Sequence, residues 1–260
     1  MAKFTNYSMS FDGVDADEIN CGNDSSLLGS GDFTISTWIK ISSFSSSWEG
    51  ICGRGFIGAT TGYGLFSNGS SSKLGFQVRE GGNVQEIYTD NTVSLDTWYH
   101  FVGVRVSGGT SNIYLNGAVQ VADFTESYTI ALSLDFIIGH PKTGTLDVDG
   151  QVSDVAFWDS ALDANTIASI YASGTPNDLT LAASYTSGGG TDKSGDLQGY
   201  WRCGEKATFD GSNWTVLDQS TNSNDGTSAN MGIDTRIGDA PDSINNGLTL
   251  NMESDDRVTP

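Results

Sequence analysis

DVDGQVSDVAFWDSALDANTIASIYAS, residues 147–173, decides the fold because its hydrophobic period changes once along its length. From Gln151 to Trp158 the residues alternate, with Val152, Ala156 and Trp158 on one side and Val155 and Phe157 on the other. That period of two predicts a strand covered on both faces. After a turn, Ile167, Ile170 and Tyr171 recur at helical spacing, Asp163 can cap the first turn, and Gly174 and Pro176 close the pattern. The second half therefore predicts a short helix of about three turns.

Outward from this stretch, alternation continues. GDFTISTWIKIS places Phe33, Ile35, Ile39 and Ile41 on one face, and KLGFQVREGGNVQEIYT reads as a hairpin around Gly81, Gly82 and Asn83. SLDTWYHFVGVRV is another alternating run, followed by TSNIYLNGAVQ, whose Asn116-Gly117 pair suits a type I′ turn. The composition agrees: 33 Gly, 4 Pro and only 17% charged residues over 260 positions describe a turn-rich β protein. Such a length fits one sandwich domain.

These motifs carry a family resemblance. SFDGVD near the start, WYHFV leading into IYLNG, and a last core strand followed by WDSAL and one small helix resemble LamG-like domains, the laminin G and pentraxin-related members of the concanavalin A-like superfamily. The resemblance implies an all-β, antiparallel jelly-roll β-sandwich with one short helix after the last core strand, over residues 1–174. Residues 175–195 read as a Gly/Ser/Thr linker. DLQGYWRCGE and VLDQSTNSNDGT, within 196–229, are similar to the segment with which many such domains begin, yet here they follow the helix. Two accounts stay open: a truncated second domain, or strands completing the same sandwich as a circular permutation. Exposure of Tyr200, Trp201 and Trp214 in an unpacked strand pair favours the second. Residues 230–260 read as a polar C-terminal tail.

Net charge is −20, with 12 Lys and Arg against 32 Asp and Glu, so no basic stripe exists to displace counterions from a nucleic acid or to dock on an anionic bilayer. No run approaches the roughly 18 apolar residues of a membrane span, and MAKFTNYSMSFDG has no apolar leader core, which predicts synthesis without a signal peptide. Cys21, Cys52 and Cys203 have no metal spacing and allow at most one bridge. Gly53, Gly55 and Gly58 spell GxGxxG, but no helix pattern follows to receive a pyrophosphate.

Candidate chemistry is sparse. A glycosidase of this superfamily needs paired carboxylates on one strand; the nearest pairs, Asp147 with Asp149 and Asp15 with Asp17, fall beside glycines in turns, and no catalytic residue is assigned. His100, within a strand, and His140, before Pro141, are the two histidines, and packing accounts for the first. Glycan binding needs an aromatic platform with polar partners around it. Trp48 and Tyr63 flank the Gly-rich loop and are the candidates, whereas Trp38, Trp98, Trp158 and Trp201 read as core. The family resemblance also implies a structural calcium where the early strand meets the last core strand, at Asp12 and Asp154, positions that equally suit turn caps.

Acidic chains that open at SFDGVD and end in GYWRxGE with D-x-S-x-N-x-N-D-G resemble LamG-like virion proteins of tailed phages. That resemblance implies a non-enzymatic capsid decoration or tail-fibre module, located in the virion, whose partners are other virion proteins, further copies of itself and a host-surface glycan. A bacterial carbohydrate-binding or adhesion module is the alternative, and a glycoside hydrolase the third reading.

Overall fold

The computed structural model describes residues 5–14, 16–45, 47–55, 59–131, 133–139 and 147–241. In chain order its strands are β1 (Ser8–Asp12), β2 (Glu18–Asn20), β3 (Phe33–Ile41), β4 (Trp48–Arg54), β5 (Gly62–Asn68), β6 (Lys73–Glu80), β7 (Asn83–Tyr88), β8 (Trp98–Arg105) and β9 (Thr110–Leu115). They continue with β10 (Ala118–Thr125), β11 (Phe136–Ile138), β12 (Asp149–Trp158), β13 (Leu197–Trp201), β14 (Ala207–Phe209), β15 (Trp214–Val216), β16 (Gly226–Ala229) and β17 (Arg236–Ile237); the helices are α1 (Ala164–Tyr171) and α2 (Ala183–Thr186). Two sheets result. One runs β10-β9-β8-β3-β12-β1-β17 with β13 also on β12, and the other runs β14-β15-β16-β2-β11-β4-β5-β6-β7. Their ladders are antiparallel, so the chain is an all-β sandwich.

The turns follow their residues. Asn116 and Gly117 carry φ of 50° and 77° between β9 and β10, and Gly81 and Gly82 carry 57° and 88° between β6 and β7, the left-handed values that a two-residue hairpin requires. Asp163 caps α1 by accepting from the Thr166 amide at 2.9 Å, and Ala172 closes it in the left-handed conformation. The helix is eight residues long, nearer two turns than three.

Strand β12 organises the first sheet. One edge pairs with β3; along the other, β1 and β13 lie end to end, Met9 opposite Val152 and Trp201 opposite Val155. Between them the ladder breaks at a bulge from Ser153 to Ala156, with Asp154 at φ 46°. The extra residue turns the second half of the strand over. Val152 consequently faces the interior together with Val155 and Phe157, while Ala156 and Trp158 face the opposite way. This corrects the grouping of Val152 with Ala156 and Trp158 expected from simple alternation.

Two cores follow from that inversion. Between the sheets, Phe33, Tyr63, Phe136, Phe157 and Trp201 form a continuous aromatic stack, with Phe33 and Tyr63 centroids 4.6 Å apart and Phe136 and Trp201 5.0 Å apart. Outside the first sheet, Trp158, Ile167, Ile170, Leu179, Tyr185 and Tyr200 pack beneath α1 and α2. The stretch 175–195 is therefore not a spacer, and the linker expectation is corrected. Tyr185 accepts from the Trp158 indole at 3.1 Å and donates to the Leu179 carbonyl at 2.6 Å, and the local polar residues satisfy their own backbone, Asp178 accepting from the Thr180 amide and Asp192 from the Ser194 amide.

Residues 197–229 contribute β13 to the first sheet and β14, β15 and β16 to the second. The D-x-S-x-N motif is the clamp that joins them. The buried Asp218 carboxylate accepts from the amides of Tyr200 at 2.8 Å, Ser220 at 2.8 Å and Asn224 at 2.9 Å, and from the Ser220 hydroxyl at 2.7 Å. The polar-tail expectation is corrected for residues 230–241: Met231 and Ala240 are buried, and β17 pairs with β1. Residues 242–260 lie outside the described residues, as do Asp15, Gly58 and His140.

Candidate functional site

The register of the second sheet separates the two expected platform residues. Trp48 pairs with Asn68 and Arg54 with Tyr63, and Tyr63 lies an odd number of residues from Asn68, so Trp48 and Tyr63 point to opposite faces. Tyr63 is fully buried, stacked on Phe33 and Phe157, with its hydroxyl donating to the Leu27 carbonyl. Burial drives its phenol far above the usual value. Its role as a solvent-facing sugar platform is thereby corrected, because a ring enclosed in the core has no face to offer. Trp48 is 40% exposed on the outer face.

Trp48 does not stand alone. Its ring meets Phe66 edge-on at 6.5 Å, and Phe66 meets Tyr88 edge-on at 5.5 Å. Phe66 lies over Gly75, its cross-strand partner, where a Cβ would come within 2.3 Å of the ring. The glycine thus makes the seat that lets a buried Phe66 brace the exposed indole. Glu49 fixes the approach to β4 by accepting from the Ser45 amide and the Ser67 hydroxyl.

Polar groups run beside this aromatic ridge. The Trp48 and Asn68 side chains lie beside the Tyr88 hydroxyl and offset part of the rise that burial causes in its pKa. Tyr88 in turn donates to Glu86 Oε1 at 2.9 Å, and Gln77 Nε2 donates to Glu86 Oε2 at 3.2 Å. Burial first, and the Glu86 contacts second, raise the Tyr88 phenol, which keeps it a donor. Lys73 donates to the Asp90 carbonyl at 3.0 Å, and Glu86, Tyr88, Lys73, Asp90 and Asp123 border one open hollow where β7 meets β10.

Only Trp48 of these was visible as a candidate in sequence. Phe66, Tyr88, Glu86 and Gln77 were missed, although counting outward from Gly81-Gly82 sets Gln77 opposite Glu86 and Gly75 opposite Tyr88. The hairpin was the available signal.

The expected calcium pair does not assemble. Asp12 is paired with Asp149, and Asp154 lies five positions further along β12, roughly 16 Å at strand rise. Asp12 accepts from the Val14 amide at 3.0 Å as a turn cap. Asp154 is buried, accepting from Ser153 Oγ at 2.7 Å and the Tyr200 hydroxyl at 2.8 Å, with Arg202 Nε at 3.8 Å, and burial raises its carboxyl above the ordinary value. Among the described residues, no three His, Cys, Asp or Glu side chains are placed to share a metal ion. Likewise no helix among them is long and apolar enough to cross a membrane.

Two packed antiparallel sheets with a braced aromatic patch on one outer face define a lectin-like sandwich. Residues 12–168, more than half of the chain, match the family described as the concanavalin A-like lectin/glucanases superfamily, and the chain belongs to it. Among solved structures, it is similar to a putative carbohydrate binding protein from Bacteroides ovatus, with TM-score 0.65 and 18% identity over 93% of this chain and 62% of that one, so it spans less than two thirds of that protein. It is also similar to the native heptameric SAP-like pentraxin from Limulus polyphemus, with TM-score 0.52 and 16% identity over 66% of this chain and 85% of that one. At these identities the likeness shows the fold alone. No curated protein matches the chain.

Proposed function

We propose that this protein is a non-catalytic adhesion module that engages host-surface glycans through the Trp48 patch as a component of a phage virion. The observation that carries the binding reading is the half-exposed indole of Trp48, braced from below by Phe66 and flanked by Tyr88 and Glu86. A pyranose presents one face of C–H groups to such a ring and its hydroxyls to neighbouring carboxylates and amides. The same contacts argue against hydrolysis at this patch. Both Glu86 oxygens accept from Tyr88 and Gln77, which suits an acceptor of sugar hydroxyls rather than a proton donor to a leaving group.

The virion setting is supported by the acidic, dispersing charge of −20 and by the motifs shared with tailed-phage proteins. Binding of soluble glycans tests the function. Trp48→Ala should weaken retention by about thirtyfold, roughly 2 kcal/mol for a central aromatic anchor, while leaving the circular dichroism unchanged. Undiminished binding by that variant overturns the site. Mass spectrometry of purified particles should find the chain among the virion proteins; a bacterial surface location without particle association would instead support a cellular carbohydrate-binding module.

A further inference from the structure

The donors and acceptors of the patch are unequally used. Tyr88 O–H and the Gln77 amide both donate to Glu86, and Lys73 gives one of its three N–H groups to the Asp90 carbonyl. Arg79, two residues beyond Gln77 on β6, is not a free cation. Apart from the two remaining N–H groups of Lys73, what is left over is acceptor capacity. A carboxylate offers about four lone-pair positions, and Glu86 uses one on each oxygen. Gln77, only 2% exposed and in the same cross-strand row, has an Oε1 with no partner at all. That oxygen is enclosed, so the acceptor a ligand hydroxyl or ammonium meets at the hollow is Glu86, which Gln77 holds in place.

Charge points the same way. Glu86, Asp90 and Asp123 border the hollow with Lys73 as the one cation among its lining residues, in a chain of net charge −20. An anionic sugar would meet three carboxylates against the single Lys73 ammonium.

We infer, resting on the glycan reading of the Trp48 patch, that its ligand is a pyranoside that brings hydroxyl or ammonium donors and no negative charge. Neutral and amino sugars are accepted, and uronates are refused.

Three β-1,4 hexamers that differ mainly in ring substituents test this by calorimetry: cellohexaose, the glucosamine hexamer and the mannuronate hexamer. At about 20 mM salt, where screening is weak, the first two should bind at least about tenfold more tightly than mannuronate, and the gap should narrow as salt is raised. Glu86→Gln keeps the shape and removes the charge, so it should shrink the preference for glucosamine over mannuronate several-fold, with an unchanged near-UV circular dichroism spectrum reporting that the aromatic patch is intact. Trp48-dependent binding of mannuronate equal to or tighter than cellohexaose overturns the inference and leaves the glycan reading standing. Binding of none of the three overturns the glycan reading, and this inference with it.

Discussion

His100 stands at the centre of a small aromatic stack, 5.1 Å from Trp38 and 5.9 Å from Tyr171, only 3% exposed and with Nδ1 unpartnered. Burial lowers its value to about 3, so the folded protein holds it neutral. The unfolded chain protonates it near 6.5. Above that pH both states are neutral and its contribution is fully present; as pH falls toward about 3 only the unfolded state takes the proton, and stability is lost across that window. The slope from this one residue approaches about 1.4 kcal/mol per pH unit. His100→Phe keeps the stacked ring and removes the titration, so urea unfolding should show a shallower acid loss than the wild-type chain between about pH 6 and pH 4; identical slopes would contradict the burial argument. Residue-scale reading of sequence recognised that packing explains His100. It could not separate Tyr63 from Trp48 because both are aromatic residues beside the same glycine-rich loop, and only the β4–β5 register tells which one faces water.

Among elements, β12 shows where pattern reading stops. The alternation of residues 151–158 identified a strand covered on both sides, but nothing in Ser153-Asp154 announces a bulge, and the bulge decides which side chains enter which core. The stretch 175–195 failed for another reason. Its composition is that of a flexible linker, yet two apolar residues, Leu179 and Tyr185, suffice to fasten it over Trp158 while Asp178 and Asp192 satisfy the backbone locally. Tyr185→Ala should therefore cost about 3 kcal/mol or more, the loss expected for emptying a buried aromatic site. Leu181→Ala, at a side chain 54% exposed, should change stability by no more than about 0.5 kcal/mol. Equal, small losses in denaturant midpoint would return this segment to the status of a tether.

At the scale of the molecule, the sandwich draws strands from nearly the whole described chain: β12 is flanked on one edge by the first strand and by β13, and β16 meets β2 in the other sheet. The early and late parts of the sequence thus share both layers. This architecture was legible because Tyr200, Trp201 and Trp214 are too apolar to lie unpacked. The proposed patch was not, since it arises from four strands whose relative register no local pattern specifies. In the proposed function, the outer face of β4–β7 holds intact sugar chains. This is tested most directly by titrating isotope-labelled protein with cellohexaose, mapping the shifted resonances, and recovering the sugar afterwards. Shifts should centre on Trp48, Phe66, Glu86 and Tyr88, with the hexamer recovered uncut. Shifts centred instead on the hollow lined by Glu18, Asn20, Asp24 and Asp225, or recovery of shorter oligosaccharides, would contradict it.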